Sequence, residues 1–235
     1  IGTYTGSGSN GTIATGLTTK PDMLIIKKRG DDGGNNWVTY HNGLTNQGTG
    51  YVDIGTNAAE GTLANMFNSV APGSSDATLF NVGTNTSTND TGGSDTYVFY
   101  AWHSVPGYSK FGTFEGNGAA SSSGSTADGD GPFIYLGFKP AFFMMKNIDV
   151  NTNGHWVVMD SGRNRDNDVN ETMWWSIANA SDTGEAKLDF LSNGVKNRGG
   201  TSGRYNANDE TFIYAAWAEH PFAGSTPATA KGISG

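Results

Sequence analysis

The residues best suited to chemistry lie in one polar segment, residues 160–168 (DSGRNRDND). Its carboxylates and amides are oxygen ligands that calcium accepts, and its two arginines can hold a sugar carboxylate or a phosphate through paired hydrogen bonds. The segment lacks the glycine at the sixth position and the closing glutamate of an EF-hand loop. A solvated loop is the alternative interpretation, and we take Arg163, Arg165 and Asp166 as candidate ligand-binding residues.

Two adjacent tryptophans, Trp174 and Trp175, have no counterpart in the first half of the chain. Adjacent side chains on a strand point to opposite faces, so at least one of the two rings is expected at the surface. Exposed aromatic side chains suit contact with a sugar or a protein. We therefore add both tryptophans to the candidate ligand-binding set, with burial in the core as the alternative.

The inventory for catalysis and metal binding is thin. The chain has no GxSxG elbow, no HExxH and no P-loop. Its histidines are scattered: His41, His103, His155 and His220. Two carboxylates can still flank a glycosidic bond, and the candidates are Glu115, Asp160, Glu171 and Glu219. The Asp-Gly pairs within residues 29–34 and 127–131 are typical of turns. We predict no catalytic residue, no cofactor and no metal site.

Composition narrows the class of protein. The chain of 235 residues has a net charge of -8, no cysteine and 35 glycines, yet 11% of its residues are aromatic. An anionic chain gains nothing from a phosphate backbone, so nucleic acid is not an expected partner. No apolar stretch approaches the length of a membrane span. Small polar residues between aromatic and β-branched residues indicate an all-β protein.

The sequence contains an internal duplication. GTYTG at 2–6 returns as GTFEG at 112–116, KPDMLIIK at 20–27 as KPAFFMMK at 139–146, and TYVFYAW at 96–102 as TFIYAAW at 211–217. Trp37 returns as Trp156 at the same offset as the Lys-Pro pair. Such anchors in one order predict a repeat at residues 1–110, a second at 111–223 and a C-terminal tail at 224–235.

The anchors read as strands. Residues 23–27, 97–102 and 212–217 are apolar runs bounded by turn residues, and residues 78–82 and 187–191 alternate. Only residues 58–67 and 171–178 suggest helix. We predict an all-β fold of two tandem antiparallel, jelly-roll-like β-sandwich repeats, either separate or packed as one pseudo-symmetric unit. The recurring tryptophans are expected in the core: Trp37, Trp102, Trp156 and Trp217.

Four strings resemble a repeat module of bacteriophage structural proteins, a family common in marine and cyanobacterial phages. The strings are GTFEGNG at 112–118, GPFIYLGFKPAF at 131–142, DFLSNGVK at 189–196 and TFIYAAWAEHPF at 211–222. The resemblance implies a β-rich tail-fibre or virion structural protein, and it supplies no catalytic residue.

From that resemblance we expect a non-enzymatic virion protein, assembled in the host cytoplasm and then extracellular. The leading hypothesis is a tail-fibre or receptor-binding component that contacts host surface glycan and other virion proteins. By analogy with fibre proteins, we expect it to be a homo-oligomer, namely a trimer. The alternatives are a capsid decoration or head-fibre protein without a specific ligand, and a glycan depolymerase.

Overall fold

Within the residues that the structure describes, the regular secondary structure is almost entirely antiparallel β-strand, as predicted. The structure is a computed structural model that describes residues 1–30, 36–90, 92, 95–119, 129–178, 188–199 and 203–221. The strands of the first half are β1 (Gly2–Thr5), β2 (Gly11–Ala14), β3 (Met23–Lys28), β4 (Val38–His41), β5 (Gly50–Asp53), β6 (Gly61–Thr62), β7 (Leu79–Val82) and β8 (Thr96–Trp102). Those of the second half are β9 (Ser109–Glu115), β10 (Phe133–Tyr135), β11 (Pro140–Asn147), β12 (Val157–Asp160), β13 (Met173–Trp174), β14 (Leu188–Leu191), β15 (Gly194–Asn197) and β16 (Thr211–Ala218).

The two large sheets share the order of their first four strands. The first runs β1-β8-β3-β4-β5-β6, and the second, taken from β9, runs β9-β16-β11-β12-β13. Strands built from matching sequence anchors occupy matching places, since β1, β3, β4 and β8 correspond to β9, β11, β12 and β16. The duplication seen in the sequence is therefore also a duplication of sheet topology.

A small sheet covers the outer face of each large one. The β2-β7 pair packs on the six-stranded sheet, where Phe80 meets Phe99 edge-on with ring centroids 5.1 Å apart. The β10-β15-β14 sheet packs on the five-stranded sheet, and its Ile134 and Val195 share a core cluster with Phe143. Each half is thus a two-layered sandwich, with apolar residues of both layers turned inward.

The two large sheets also pack against each other through their inner faces. One core cluster includes Ile25 of β3 together with Met144 of β11 and Ile213 of β16. Because β3 and β11 lie between two covered faces, they are apolar on both sides rather than alternating. This double burial explains the unbroken apolar runs at 23–26 and 142–145.

Both helix predictions were wrong. Residues 58–67 contain β6, which pairs with β5, because Gly61 disfavours helix and the short extended segment finds a strand to pair with. Residues 171–178 contain β13, which pairs with β12. In the described ranges the helix that does form is the single turn α1 (Thr86–Asn89), whose N-cap Asn85 accepts a hydrogen bond from the Ser87 amide.

Some predictions concern residues that the structure does not describe: the tail at 224–235, the loop residues 31–34, 127 and 128, and Lys187 at the start of a predicted strand. Within the part of the chain that is described, no helix is long and apolar enough to cross a membrane.

Candidate functional site

A connected row of six aromatic rings runs between the two large sheets. Successive ring centroids lie 5.4–6.4 Å apart. The row, in order, is Trp37, Tyr100, Trp102, Trp217, Phe142 and Trp175. We call these residues the aromatic row. Its two ends are exposed, Trp37 by 40% and Trp175 by 38% of the residue's reference area.

Strand geometry aligns the rings of the first half. Tyr100 and Trp102 are two positions apart on β8 and so share a face, and their rings stack 5.9 Å apart with an interplanar angle of 11°. Trp37 immediately precedes β4 and continues the row, 6.4 Å from Tyr100. By strand register, Lys27 of β3 lies between Val98 and Trp37 on this face.

The second half supplies the other three rings. Trp217, near the end of β16, meets Trp102 edge-on at 6.0 Å and Phe142 at 5.4 Å. Phe111 of β9 contacts Trp217 at 5.4 Å and fixes its orientation. Trp175 follows the short edge strand β13 and lies 6.2 Å from Phe142. The row therefore depends on both halves of the chain.

The middle of the row borders an apolar cleft of about 350 Å³, which falls within the size range of ligand clefts. Six of its lining residues form three pairs that occupy equivalent positions in the two repeats: Met23 with Phe142, Ile25 with Met144, and Trp102 with Trp217. The large sheets thus meet through equivalent faces, as in a two-fold arrangement. Trp175 is the seventh lining residue and breaks the symmetry.

Buried polar contacts hold the two halves together beside this cleft. His41 on β4 accepts a hydrogen bond at Nδ1 from the Gly43 amide (2.9 Å), so its Nε2 carries the proton and donates to the carbonyl of Tyr214 on β16 (3.0 Å). Burial lowers the pKa of His41 to about 4. Trp156 donates its indole proton to the Asp53 carbonyl (2.9 Å). The His41–Tyr214 and Trp156–Asp53 bonds join the two repeats, and they therefore fix the spacing of the rings.

A buried lysine also lies on the inner face of β11. Lys146 is fully buried and donates to the carbonyl of Gly154. Burial lowers the pKa of Lys146 to about 8, against a smaller opposing effect of Asp53. The neighbouring Asp53 has its pKa raised, chiefly by burial. In the described part of the chain Lys146 and Asp53 form no ion pair with each other, and both belong to the framework of the interface.

A second, polar pocket of about 200 Å³ opens at the same end of the five-stranded sheet, where β11 begins and β12 and β16 end. Its wall is formed by the loop after β12 and by Lys139, with Val169 and Phe190 of the second core cluster at its base. The loop residues that line it are Ser161, Asn164, Arg165, Asp166 and Asn167. Polar groups therefore surround an apolar floor.

The candidate ligand-binding set divides between the aromatic row and the polar pocket. Trp175 belongs to the aromatic row, whereas Arg165 and Asp166 line the polar pocket. Arg163 instead forms an ion pair with Asp160 (2.6 Å). Burial alone would raise the pKa of Asp160, but the hydrogen bonds from Arg163 and from backbone amides lower it overall.

Trp174 is a correction to that set. Its side chain is 7% exposed and contacts His155 at 5.5 Å, with the Arg204 guanidinium 4.8 Å from its ring centroid. Trp174 ends the edge strand β13 with its ring in the core, and Trp175, in the turn that follows, reaches the surface. We therefore remove Trp174 from the candidate site.

The recurring tryptophans do not share one environment. Trp156 is in the core, as predicted, at 1% exposure. The prediction was wrong for Trp37, which directly precedes β4 and is 40% exposed. Trp102 and Trp217 are partly buried and line the cleft. Sequence reasoning missed them as site residues, although their recurrence together was the available signal.

Carboxylates give no sign of a metal centre. Among the residues that the structure describes, no group of three or more His, Asp or Glu side chains is placed to hold a metal ion. Two of the carboxylates considered for catalysis are engaged in ion pairs, Asp160 with Arg163 and Glu219 with Lys139 at 2.9 Å. The hydrogen bond from Lys139 lowers the pKa of Glu219.

Comparison with known proteins gives a family without a described activity. The family described as "Domain of unknown function (DUF7483)" matches residues 1–221. No curated protein and no solved structure matches the chain significantly. Because the family match covers both repeats and all but the last 14 of the 235 residues, the chain belongs to the DUF7483 family.

Proposed function

We propose that this protein is a non-enzymatic virion surface component that binds host glycan along the aromatic row, as a tail-fibre or receptor-binding protein. The observation that carries the proposal is the continuous row of six rings with an exposed tryptophan at each end. The phage resemblance of the sequence supports the virion location. Assembly with other virion proteins, as a homo-oligomer, is part of the same proposal.

The chemistry of the row suits a saccharide. One face of a sugar ring carries mainly C–H groups and stacks on an aromatic face, where it displaces water from apolar surface. Neighbouring rings along the row can take successive sugars, while hydroxyl groups stay in contact with water or with polar side chains such as Lys27. An extended glycan would thereby gain several modest contacts at once.

Packing of the row favours binding further. Trp217 is held edge-on by Phe111, Trp102 and Phe142, so these rings lose little freedom when a ligand arrives. A surface that is already ordered avoids much of the entropic cost of binding. Three rings come from each repeat, so the proposed site requires both copies of the duplicated module.

A binding screen tests the proposal. The native protein is applied to an array of bacterial capsular and lipopolysaccharide glycans, in parallel with Trp175→Ala and with Tyr135→Ala. Tyr135 is a matched control because it is 60% exposed but lies outside the aromatic row. We expect specific glycans to bind the native protein and Tyr135→Ala, and to lose about tenfold or more in affinity with Trp175→Ala. Equal loss in both variants, or no bound glycan at all, would contradict the proposal.

A second candidate function, capsid decoration, is favoured by a different surface. Phe133, Tyr135 and Leu191 are 45%, 60% and 36% exposed on the outer face of the three-stranded sheet. Tyr135 and Leu191 flank Gly194 by register, so the three side chains lie together. Exposed apolar patches mark protein interfaces. Gold-labelled antibody on intact particles separates the two functions: distal tail label supports glycan recognition, and label over the capsid supports decoration.

A further inference from the structure

The loop that forms the polar pocket is held in place by its own side chains. Asn164 accepts a hydrogen bond from the Glu171 amide (2.7 Å). The Asn167 side chain bonds both the amide and the carbonyl of Phe190, at 2.9 and 3.2 Å. Arg163 is fixed by Asp160. The amides and this arginine therefore shape the pocket, and they are not its free binding groups.

Arg165 is different from these residues. Its side chain is exposed on the pocket wall, and no hydrogen bond or ion pair engages it within the described part of the chain. Lys139, the other cation of the wall, is already paired with Glu219. In a protein of net charge -8, an arginine that is exposed, unpaired and placed over a pocket is a candidate for a negatively charged ligand.

The rest of the wall offers hydrogen bonds to a polyol. Asp166 has an exposed carboxylate that accepts from hydroxyl groups, and Ser161 offers a hydroxyl that donates or accepts. Phe190 provides an apolar surface at the base. The volume of about 200 Å³ fits a single small unit rather than an oligosaccharide.

We propose that the Arg165 pocket binds the carboxylate-bearing residue of an acidic glycan, with Arg165 on the carboxylate and Asp166 and Ser161 on ring hydroxyls. This inference rests on the proposed function, since it names the class of glycan. The pocket opens at the end of the five-stranded sheet that also carries Phe142 and Trp217 of the aromatic row.

The test uses hexuronate oligomers (oligogalacturonate, alginate oligomers and hyaluronan fragments) and the same oligomers after chemical reduction of their carboxylates to alcohols. Affinities are measured by calorimetry for the native protein, Arg165→Gln and Arg29→Gln. The Arg29 variant is the charge control, because Arg29 is an exposed arginine of the first repeat, outside both candidate surfaces. Circular dichroism checks that each variant is folded, and Arg165→Lys tests partial rescue.

We expect the native protein to prefer at least one acidic oligomer over its reduced form by about tenfold or more. Arg165→Gln removes that preference, Arg29→Gln keeps it, and Arg165→Lys restores part of it. Equal binding of acidic and reduced oligomers overturns the inference and leaves the proposed function standing. Acidic preference that survives Arg165→Gln also overturns it. Glycan binding that persists in Trp175→Ala with its acidic preference intact instead contradicts the proposed role of the aromatic row.

Discussion

Acid should loosen the contact between the two halves of the protein through one histidine. His41 is fully buried and held neutral between the Gly43 amide and the Tyr214 carbonyl. A proton on Nδ1 would break the bond from Gly43 and place a charge in the core. Burial therefore lowers the pKa of His41 from 6.5 to about 4, against smaller opposing effects of the Tyr214 hydrogen bond and of Asp22.

The size and sign of the effect follow from linkage. The unfolded chain takes up a proton near pH 6.5, whereas the folded protein does so only near pH 4. Stability is therefore complete above pH 6.5 and falls as the pH is lowered toward 4. One pKa unit corresponds to about 1.4 kcal/mol, so His41 alone removes about 3 kcal/mol over this window.

Urea unfolding between pH 4 and pH 7.5 measures this loss. The His41→Gln variant does not titrate here, so its free energy of unfolding should depend much less on pH. Part of the slope remains, because burial also lowers the pKa of His155, and the raised pKa of Asp53 acts in the opposite direction. Phe111→Leu is the control: it disturbs a ring 6.3 Å from His41 without adding or removing a titrating group. An unchanged slope in His41→Gln would refute the reasoning.

Three further substitutions test the packing of the repeats. Lys146→Met should abolish a rise in stability between about pH 8 and pH 10.5, the range in which the buried lysine of the native protein is neutral in the folded state only. Urea midpoints at pH 7.5 and 9.5 measure this rise. A rise that persists in the variant would contradict the assignment to Lys146. Gly43→Ala places a methyl group against β9 and β16 and should lower the free energy of unfolding by about 1–3 kcal/mol, as measured by thermal unfolding. Gly55→Ala, which has open space around it, should change stability little. Similar losses in the two variants would contradict the packing. Trp156→Phe should lower stability by about 2 kcal/mol through a lost hydrogen bond and a cavity. Trp37→Phe, at the equivalent but exposed position, should lower it by less than about 0.5 kcal/mol. Equal losses would be inconsistent with the different burial of the two tryptophans.

The fold could largely be predicted because its signals are local and doubled. Apolar runs at 23–26 and 142–145 mark the central strands, and matching anchors predict matching places in two sheets. What the sequence did not reveal is that these sheets pack on each other through equivalent faces. That packing depends on the inward direction of single side chains such as Met144, and a strand apolar on both faces does not tell which neighbour covers each.

The candidate site could be predicted only in part, because the sequence does not show which side chains meet between the sheets. Trp175 entered the candidate set because adjacent side chains of an extended segment point to opposite faces, so one ring of the Trp174–Trp175 pair was expected at the surface. The other rings of the row, such as Trp102 and Phe142, lie in apolar strings that are typical of a core, and only the tertiary packing shows that a cleft borders them. Likewise Arg163 and Arg165 look alike in sequence, and the ion pair with Asp160 is what separates them.

The most direct test of the central claim is to follow the indole N–H signals of the six tryptophans by two-dimensional NMR while a glycan that binds on the array is added. Single tryptophan-to-phenylalanine variants assign the signals. If the aromatic row binds the glycan, the signals of its four tryptophans shift in a saturable way, while those of the buried Trp156 and Trp174 stay in place. Shifts confined to the buried pair, or saturable binding that leaves all four signals of the row unmoved, would contradict the account.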